Sequence, residues 1–450
     1  MRIYLESLGC RLNYAEMAAL GRQLAGAGHE LAASAEQADL CVLNSCAVTA
    51  EAARQSRQLA RQMARANPAG RLVLTGCFAT LEGETAAQLP NVALVVGNTR
   101  KDELLRIIDE SANQQIGKSA SPQIGESRNT QHAIRSRGRH DPQYAARTRA
   151  FIKVQDGCRN RCTFCIVTVA RGDERSRPIA EVVAEVNALH AEGFQEAVLT
   201  GVHLGGYGSD TGATLQALVA ALLAETTIPR LRLSSLEPFD LDASFFDLWG
   251  DTGGRLMPHL HLPAQSGSDA VLRRMARRNR VADFEALVAA ARRRIPGLTV
   301  TTDLIAGFPG ETESDFADTV AFARRVGFAH IHAFPYSARA GTAAARFGGQ
   351  IPDTADATER KRRVRALAEL DGELGHAVRL GFLGQTRPVL WEAPDAGARA
   401  DDGQQTWAGL TDNYLRVMMT AAAETELHNR ITPVRLVRLD SDVLWGEVAK

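Results

Sequence analysis

Short apolar runs separated by amphipathic stretches open the chain. Ile3-Tyr4-Leu5, Leu40-Cys41-Val42-Leu43-Asn44, Leu72-Val73-Leu74-Thr75-Gly76 and Leu94-Val95-Val96-Gly97 have the length and apolar density of buried strands. Glu16 to Ala27 and Ala50 to Ala66 carry helical spacing instead. This alternation predicts an N-terminal parallel α/β domain over residues 1–110. Residues 111–146 are polar, without a sustained period, and read as a linker with a basic patch at Arg135, Arg137, Arg139 and His140. Alternation resumes over 147–380, with strand candidates Phe151 to Val154, Glu196 to Thr200, Arg230 to Ser234, Leu260 to Leu262, Val300 to Ile305 and His330 to Phe334, and a closing helix from Asp356 to about Leu380. Six strands with crossover helices predict a central partial (β/α)6 barrel whose site lies at the strand C-termini. Over 381–450 short strands around Val389-Leu390-Trp391, Tyr414 to Val417 and Thr432 to Leu436 predict a small β-barrel.

Composition narrows the function classes. Of 450 residues, 45% are hydrophobic, enough to bury a sizeable core, and 52 basic residues balance 52 acidic ones. Net charge therefore does not announce a nucleic-acid partner, and any phosphate-binding surface must come from local clusters. Candidates are Arg273, Arg274, Arg277, Arg278 and Arg280, then Arg292 to Arg294, then Lys361, Arg362, Arg363 and Arg365; any single run reads more readily as a solvated helix face. The C-terminal segment holds more Asp and Glu than Lys and Arg, so RNA contact there would rest on stacking by Tyr414 or Trp407. MRIYLESLGC lacks the features of a signal peptide, and no apolar run reaches the roughly 18 residues of a membrane span, so a soluble, cytoplasmic protein with no membrane partner is expected.

The seven cysteines are odd in number and not spaced as a disulfide framework, which points to metal or catalysis. Cys158, Cys162 and Cys165 form a CxxxCxxC run just after the first barrel strand. Three thiolates so close can ligate three irons of one cubane and leave the fourth iron open, whereas zinc usually takes four protein ligands or a water-bearing set. Cys10, Cys46 and Cys77 each end a predicted strand, in SLGC, LNSC and LTGC. Strand C-termini of a parallel sheet share one edge, so these three can meet in space; the alternative is three unrelated buried small residues. Cys41, mid-strand, reads as core.

The CxxxCxxC run matches the radical S-adenosylmethionine (SAM) signature. With Leu8-Gly9-Cys10-Arg11-Leu12-Asn13, Asn44-Ser45-Cys46-Ala47-Val48-Thr49 and Thr75-Gly76-Cys77, the chain resembles the radical SAM methylthiotransferase family over nearly its whole length. Arg171-Gly172, Pro263-Ala264-Gln265-Ser266-Gly267-Ser268, Gly307-Phe308-Pro309-Gly310-Glu311-Thr312 and Phe334-Pro335-Tyr336-Ser337 are further landmarks, and the C-terminal barrel looks like a TRAM domain of OB type. Ala47-Val48-Thr49 and Leu12-Asn13 look most like the branch acting on threonylcarbamoyladenosine beside the tRNA anticodon. The other branches act on isopentenyladenosine in tRNA and on an aspartate of a ribosomal protein. Tyr14, where Gln is common, and Thr168-Val169, where Pro and an aromatic are common, depart from the family pattern.

The resemblance implies two 4Fe–4S clusters and SAM. Cys158, Cys162 and Cys165 would hold the cluster that binds and cleaves SAM, and Cys10, Cys46 and Cys77 the one that handles sulfur. It implies a tRNA anticodon stem-loop as substrate, a reductant protein such as flavodoxin or ferredoxin, and a sulfur donor. Expected SAM contacts are Phe164 beside the cluster and, at strand ends, Thr200, Gly201, Ser235, Glu237, Gln265 and Gly307. His203, His259 and His261 read as hydrogen-bonded structural groups rather than metal ligands. A non-catalytic iron–sulfur RNA-binding protein is the competing class and predicts no SAM cleavage.

Overall fold

The computed structural model describes residues 1–113, 147–250, 252–347, 355–400 and 404–449. The chain divides into two units, Met1–Ala145 and Ala146–Lys450. The linker expected at 111–146 lies, apart from the first three residues, outside the described residues, as does its basic patch.

In the first unit, β1 (Arg2–Ser7), β2 (Glu30–Leu31), β3 (Leu40–Ser45), β4 (Arg71–Gly76) and β5 (Val92–Val96) form one parallel sheet in the order β2-β1-β3-β4-β5. β3 is buried along its length because helices cover both faces of a parallel sheet, and its sequence is accordingly a continuous apolar run rather than an alternating one. Ile3, Leu5, Val42 and Val73 pack there with Met17, Leu20 and Leu24 of the helix Arg11–Gly26. That helix starts five residues before the expected Glu16, since Leu12 and Ala15 extend its buried face. The helix Ala50–Ala66 begins where expected, capped by the Thr49 hydroxyl accepting from the Ala52 amide at 3.0 Å.

In the second unit, β6 (Arg149–Lys153) is followed by a two-stranded ribbon of β7 (Gln155–Asp156) and β8 (Arg175–Ser176) flanking the cysteine loop. β9 (Glu196–Thr200) lies between β6 and β10 (Arg230–Leu233), and β12 (Thr299–Ala306) between β11 (His259–His261) and β13 (His330–Pro335), all parallel. A bridge from Ser235 to His261 joins the two triplets, completing the expected six-stranded partial barrel. Leu231, Leu260, Leu304 and Ile331 point outward into the helix-covered core. Alternation sends their neighbours into the lumen, where buried Glu196 receives Arg232 at 2.7 Å and Arg230 at 3.6 Å.

β14 (Thr386–Ala400), β15 (Gln404–Thr411), β16 (Arg416–Ala422), β17 (Ile431–Asp440) and β18 (Val443–Val448) close a barrel in the order β14-β15-β16-β18-β17. Two aromatic expectations are corrected here. Trp407 is 2% exposed in that barrel's core, so it cannot stack on a base. Tyr414 is not in a strand but in a turn at φ +72°, its ring stacked 4.7 Å from that of His259 with the Arg232 guanidinium 4.8 Å away. Asn413 donates to the Gly297 carbonyl at 3.1 Å, and Arg230 donates to the Pro388 and Leu410 carbonyls at 2.7 and 3.1 Å. The C-terminal barrel thus stoppers the (β/α)6 lumen at the strand N-termini, leaving chemistry to the other end. Among the described residues no helix is long and apolar enough to cross a membrane.

Candidate functional site

Each unit carries one cysteine triad. In the first, β1, β3 and β4 are neighbours, so their C-terminal ends are successive steps of about 4.8 Å along one sheet edge. Cys10 caps the helix Arg11–Gly26, Cys46 follows β3, and Cys77 opens the short helix Cys77–Leu81 after β4. Gly9 lies so close to Cys46 that a Cβ on it would come within 2.8 Å of the Cys46 Cβ. Gly76 has φ +95°, and a Cβ there would fall 2.3 Å from the Ser45 carbonyl oxygen. These contacts bring the three loops together.

The surrounding residues hold that edge rigidly. Ser56 accepts from the Cys46 amide at 3.0 Å and donates to its carbonyl at 2.7 Å. The Asn98 amide group lies 3.6 Å from the Cys77 sulfur, and Asn13 donates to the Leu8 carbonyl at 2.7 Å. Beneath them Lys101, 5% exposed, meets Glu16 at 2.7 Å and Asn44 at 3.1 Å. Glu16 lies one helical turn after the Leu8–Asn13 segment, whereas Lys101 comes from a distant helical turn that the sequence does not link to it. Cys46 and Cys77 are buried, Cys10 is exposed, and an all-sulfur donor set at one sheet edge suits an iron–sulfur cluster.

In the second unit the triad sits on one loop between β7 and β8. Gly157 starts it at φ +73°, where a Cβ would lie 1.9 Å from the Asp173 carbonyl oxygen. The Cys158 amide donates to the Gly172 carbonyl at 3.1 Å, closing the loop base. Behind it His203 lies between Glu174 at 2.6 Å and Asp240 at 2.5 Å, and Asn160 reaches the same ring at 3.1 Å. Burial lowers the His203 pKa, but the two carboxylates outweigh it and hold the imidazole protonated above its ordinary range. His203 is thus hydrogen-bonded through both ring nitrogens at the base of this loop. His259 and His261 both contact the Thr301 hydroxyl, at 3.1 and 2.8 Å.

The electrostatics of this loop fit a metal cluster. Burial pushes the Cys158 thiol up to about 11 and Cys165 up to about 12, and raises Cys162 although Arg277 opposes it. Thiols so desolvated, with Glu174 and Glu237 nearby, stay neutral unless a cation joins them, and iron held by these three sulfurs would supply that charge. Arg277 lies 3.8 Å from the Cys162 sulfur and 2.6 Å from Glu237, almost fully buried. This narrows the basic-cluster expectation at four positions. Arg277 faces the site; Arg274 pairs with Asp315, Arg278 with Asp240, and Arg363 with buried Glu311. An arginine-rich helical run cannot reveal which of its guanidinium groups turn inward.

The expected SAM contacts are spread around the barrel mouth. Thr200 ends β9, buried, its carbonyl accepting from Val154. Gly201 packs on Gln155, whose Oε1 a Cβ would approach to 2.9 Å. Ser235 is exposed beside the His261 bridge, while its neighbour Ser234 keeps a buried hydroxyl without a hydrogen-bond partner, a polar atom suited to a ligand. Glu237 is held by Arg277. Gln265 has φ +70°, a strained backbone at the mouth. Gly307 turns the chain after β12, its amide already donating to Glu311 at 2.6 Å. Phe164 packs against Val271, Met275, Phe308 and Ala344.

Comparison with known proteins agrees with this geometry. Residues 152–323 match the Radical SAM superfamily, and residues 2–97 the uncharacterized protein family UPF0004. The chain is 32% identical over 441 residues, 97% of its length and 94% of the relative's, to the threonylcarbamoyladenosine tRNA methylthiotransferase MtaB of Bacillus subtilis (strain 168). It is 31% identical over 456 residues, 99% of each chain, to the tRNA-2-methylthio-N(6)-dimethylallyladenosine synthase of Methylobacillus flagellatus. Its fold resembles the radical S-adenosylmethionine methyltransferase TsrM from Kitasatospora setae, with TM-score 0.54 at 17% identity over 74% of this chain and 72% of that one. One cysteine triad falls in each matched segment, and the curated relatives span nearly the whole chain: the protein belongs to the radical SAM methylthiotransferase family and is a methylthiotransferase.

Proposed function

We propose that the protein adds a methylthio group to C2 of N6-threonylcarbamoyladenosine beside the anticodon of tRNA, using SAM and two 4Fe–4S clusters. The observation that carries this reading is the pair of cysteine triads, one at the edge of a parallel sheet and one at the mouth of a partial barrel, in a chain whose relatives are tRNA methylthiotransferases. Residues 1–110 serve as the sulfur-handling domain, 147–380 as the radical SAM core and 381–450 as the TRAM domain that meets tRNA.

Cys158, Cys162 and Cys165 would hold the SAM-binding cluster, and Cys10, Cys46 and Cys77 the second. When bound, these groups supply the radical that opens an aromatic C–H bond and the sulfur inserted there. The chain's own residues position and shield. Arg277 places a fixed cation against Cys162, and Glu237 keeps that guanidinium oriented. Thr200, Gly201, Ser235, Gln265 and Gly307 ring the mouth where SAM would lie, with Phe164 on the cluster side. Electrons would come from a protein such as flavodoxin or ferredoxin, and sulfur from a separate donor.

Two features support the threonylcarbamoyl branch: the residues flanking Cys10 and Cys46, and the 32% identity to a relative of that activity. The 31% identity to a dimethylallyladenosine synthase makes the isopentenyl substrate the second outcome to test. Mass spectrometry of tRNA nucleosides from cells with and without the gene decides. Loss of methylthio groups from threonylcarbamoyladenosine is expected; loss from isopentenyladenosine alone would overturn the substrate assignment.

A further inference from the structure

One cluster in the lumen is left unused by the SAM and iron–sulfur assignments. His261 on β11, Asp303 on β12 and His332 on β13 stand on adjacent strands, with Asp303 and His332 directly paired in register. Their imidazole nitrogens and carboxylate oxygen lie within 4.8 Å of one another. The alternation that sends Leu260, Leu304 and Ile331 outward aims all three inward. The Thr301 hydroxyl fixes one nitrogen of His261, and the other faces Asp303 at 3.4 Å. Asp371 anchors β13 by meeting the His330 ring at 2.9 Å and the Ile331 amide at 2.6 Å. The lumen floor is closed by Tyr414 on His259, so the group is reached from the mouth.

We propose that His261, Asp303 and His332 read the N6 substituent of the substrate base and select a polar, carboxylate-bearing arm over an apolar one. This rests on the threonylcarbamoyladenosine reading above. That arm offers a carboxylate and a hydroxyl to the exposed His332 imidazole, and urea N–H groups to the Asp303 carboxylate that the buried His261 orients. An isopentenyl arm would strip water from the His332 imidazole and the Asp303 carboxylate and return no hydrogen bond. Sites built to hydrogen-bond reject analogues lacking the polar groups by as much as ~10^4-fold, whereas an apolar pocket rejects an added hydroxyl only ~10^2-fold. Phe334, exposed two residues toward the mouth on the same strand, lies 6.5 Å from His332 with rings tilted by only 24°. A purine resting on Phe334 would direct its N6 arm down toward His332.

The test uses full-length, cluster-reconstituted protein and anticodon stem-loop RNAs carrying threonylcarbamoyl-, isopentenyl- or unmodified adenosine, with Kd from fluorescence anisotropy and kcat/KM from product mass spectrometry. Wild type is expected to favour the threonylcarbamoyl stem-loop. His332→Leu should lower its preference over the unmodified stem-loop about tenfold, the worth of one hydrogen bond to a charged group. His332→Gln, which keeps a donor, should restore much of the ratio, and Asp303→Asn should lower it. Iron content reports the integrity of each variant, and His332→Phe replaces His332→Leu if the latter loses iron. An unmoved ratio in both the His332 and Asp303 variants, or equal weakening toward all three RNAs, overturns this inference alone. A wild type that prefers the isopentenyl stem-loop overturns the substrate reading and this inference with it.

Discussion

The two cysteine triads are made in opposite ways. Cys158, Cys162 and Cys165 lie on one loop, so sequence spacing alone gathers them, and the fold need only fix the loop's base through Gly157, Gly172 and the His203 hydrogen bonds. Cys10, Cys46 and Cys77 are far apart in sequence and gathered by sheet order, because β1, β3 and β4 are adjacent and parallel. A local triad survives modest strain in the surrounding sheet. An assembled triad depends on every strand that carries a member, and on the buried Lys101–Glu16–Asn44 network beneath. The electrostatics differ as well: a cation, Arg277, touches a cysteine of the loop triad directly, whereas Lys101 sits below the other triad and is linked to Cys10 through Asn44 and Asn13.

Breaking the loop triad should give the largest effect. Cys162→Ala is expected to reduce 5′-deoxyadenosine formation to background, read by chromatography after chemical reduction; cleavage near wild-type rate would contradict the assignment of that loop. Glycine substitutions sharpen the contrast. Gly76→Ala puts a methyl group onto the Ser45 backbone, and Gly157→Ala onto the Asp173 carbonyl. Gly76→Ala should strip iron only from the N-terminal triad, and Gly157→Ala only from the loop triad, as resolved by the spectra of partly reconstituted protein. Spectra that lose both signals together would erase the distinction.

Charge removal comes next. Lys101→Ala leaves Glu16 buried without its cation and should destabilise the first unit by about 3–5 kcal/mol in denaturant titration. Arg277→Met leaves Glu237, whose side chain is 23% exposed, with access to water, so its cost to folding should be smaller. Equal losses would mean that the two cations play the same structural part.

The smallest effect belongs to a position touching neither triad. Asp315 completes a capping box with Thr312 on the helix Glu313–Val326. Burial raises its carboxyl, but the Ser268 hydroxyl, Thr312 and Arg274 outweigh that and hold it below the ordinary carboxylate range. Its contribution is present above the unfolded-state pKa and is lost as pH falls through the lower folded value. Asp315→Asn should cost about 1 kcal/mol at neutral pH, with the melting curves of variant and wild type converging in acid.

Much of this was legible in the sequence for physical reasons. The central strands of the N-terminal sheet are apolar runs because helices bury them, the barrel strands carry apolar residues on their helix-covered face, and the loop triad is a spacing motif. The strand-end placement of Cys10, Cys46 and Cys77 pointed to a shared edge before the sheet order was known. What was hidden depends on contacts between distant segments. Lys101 and Arg277 look like surface cations until their carboxylate partners are brought beside them. Trp407 and Tyr414 look like RNA-stacking aromatics until one is found in a barrel core and the other in the floor of the neighbouring lumen. β15 and β18 were missed because their short apolar runs are broken by Gly409 and Gly446, which pack tightly against Val389 and Val434. His332 and Asp303 sit on strands that read correctly, but only register pairs them.

The central claim is a division of labour between the two triads, and Cys46→Ala tests it most directly. Reduced with dithionite and supplied with SAM and a threonylcarbamoyladenosine stem-loop, the variant should still form 5′-deoxyadenosine while yielding no methylthiolated nucleoside. Methylthio transfer by the variant at the wild-type rate would contradict the account.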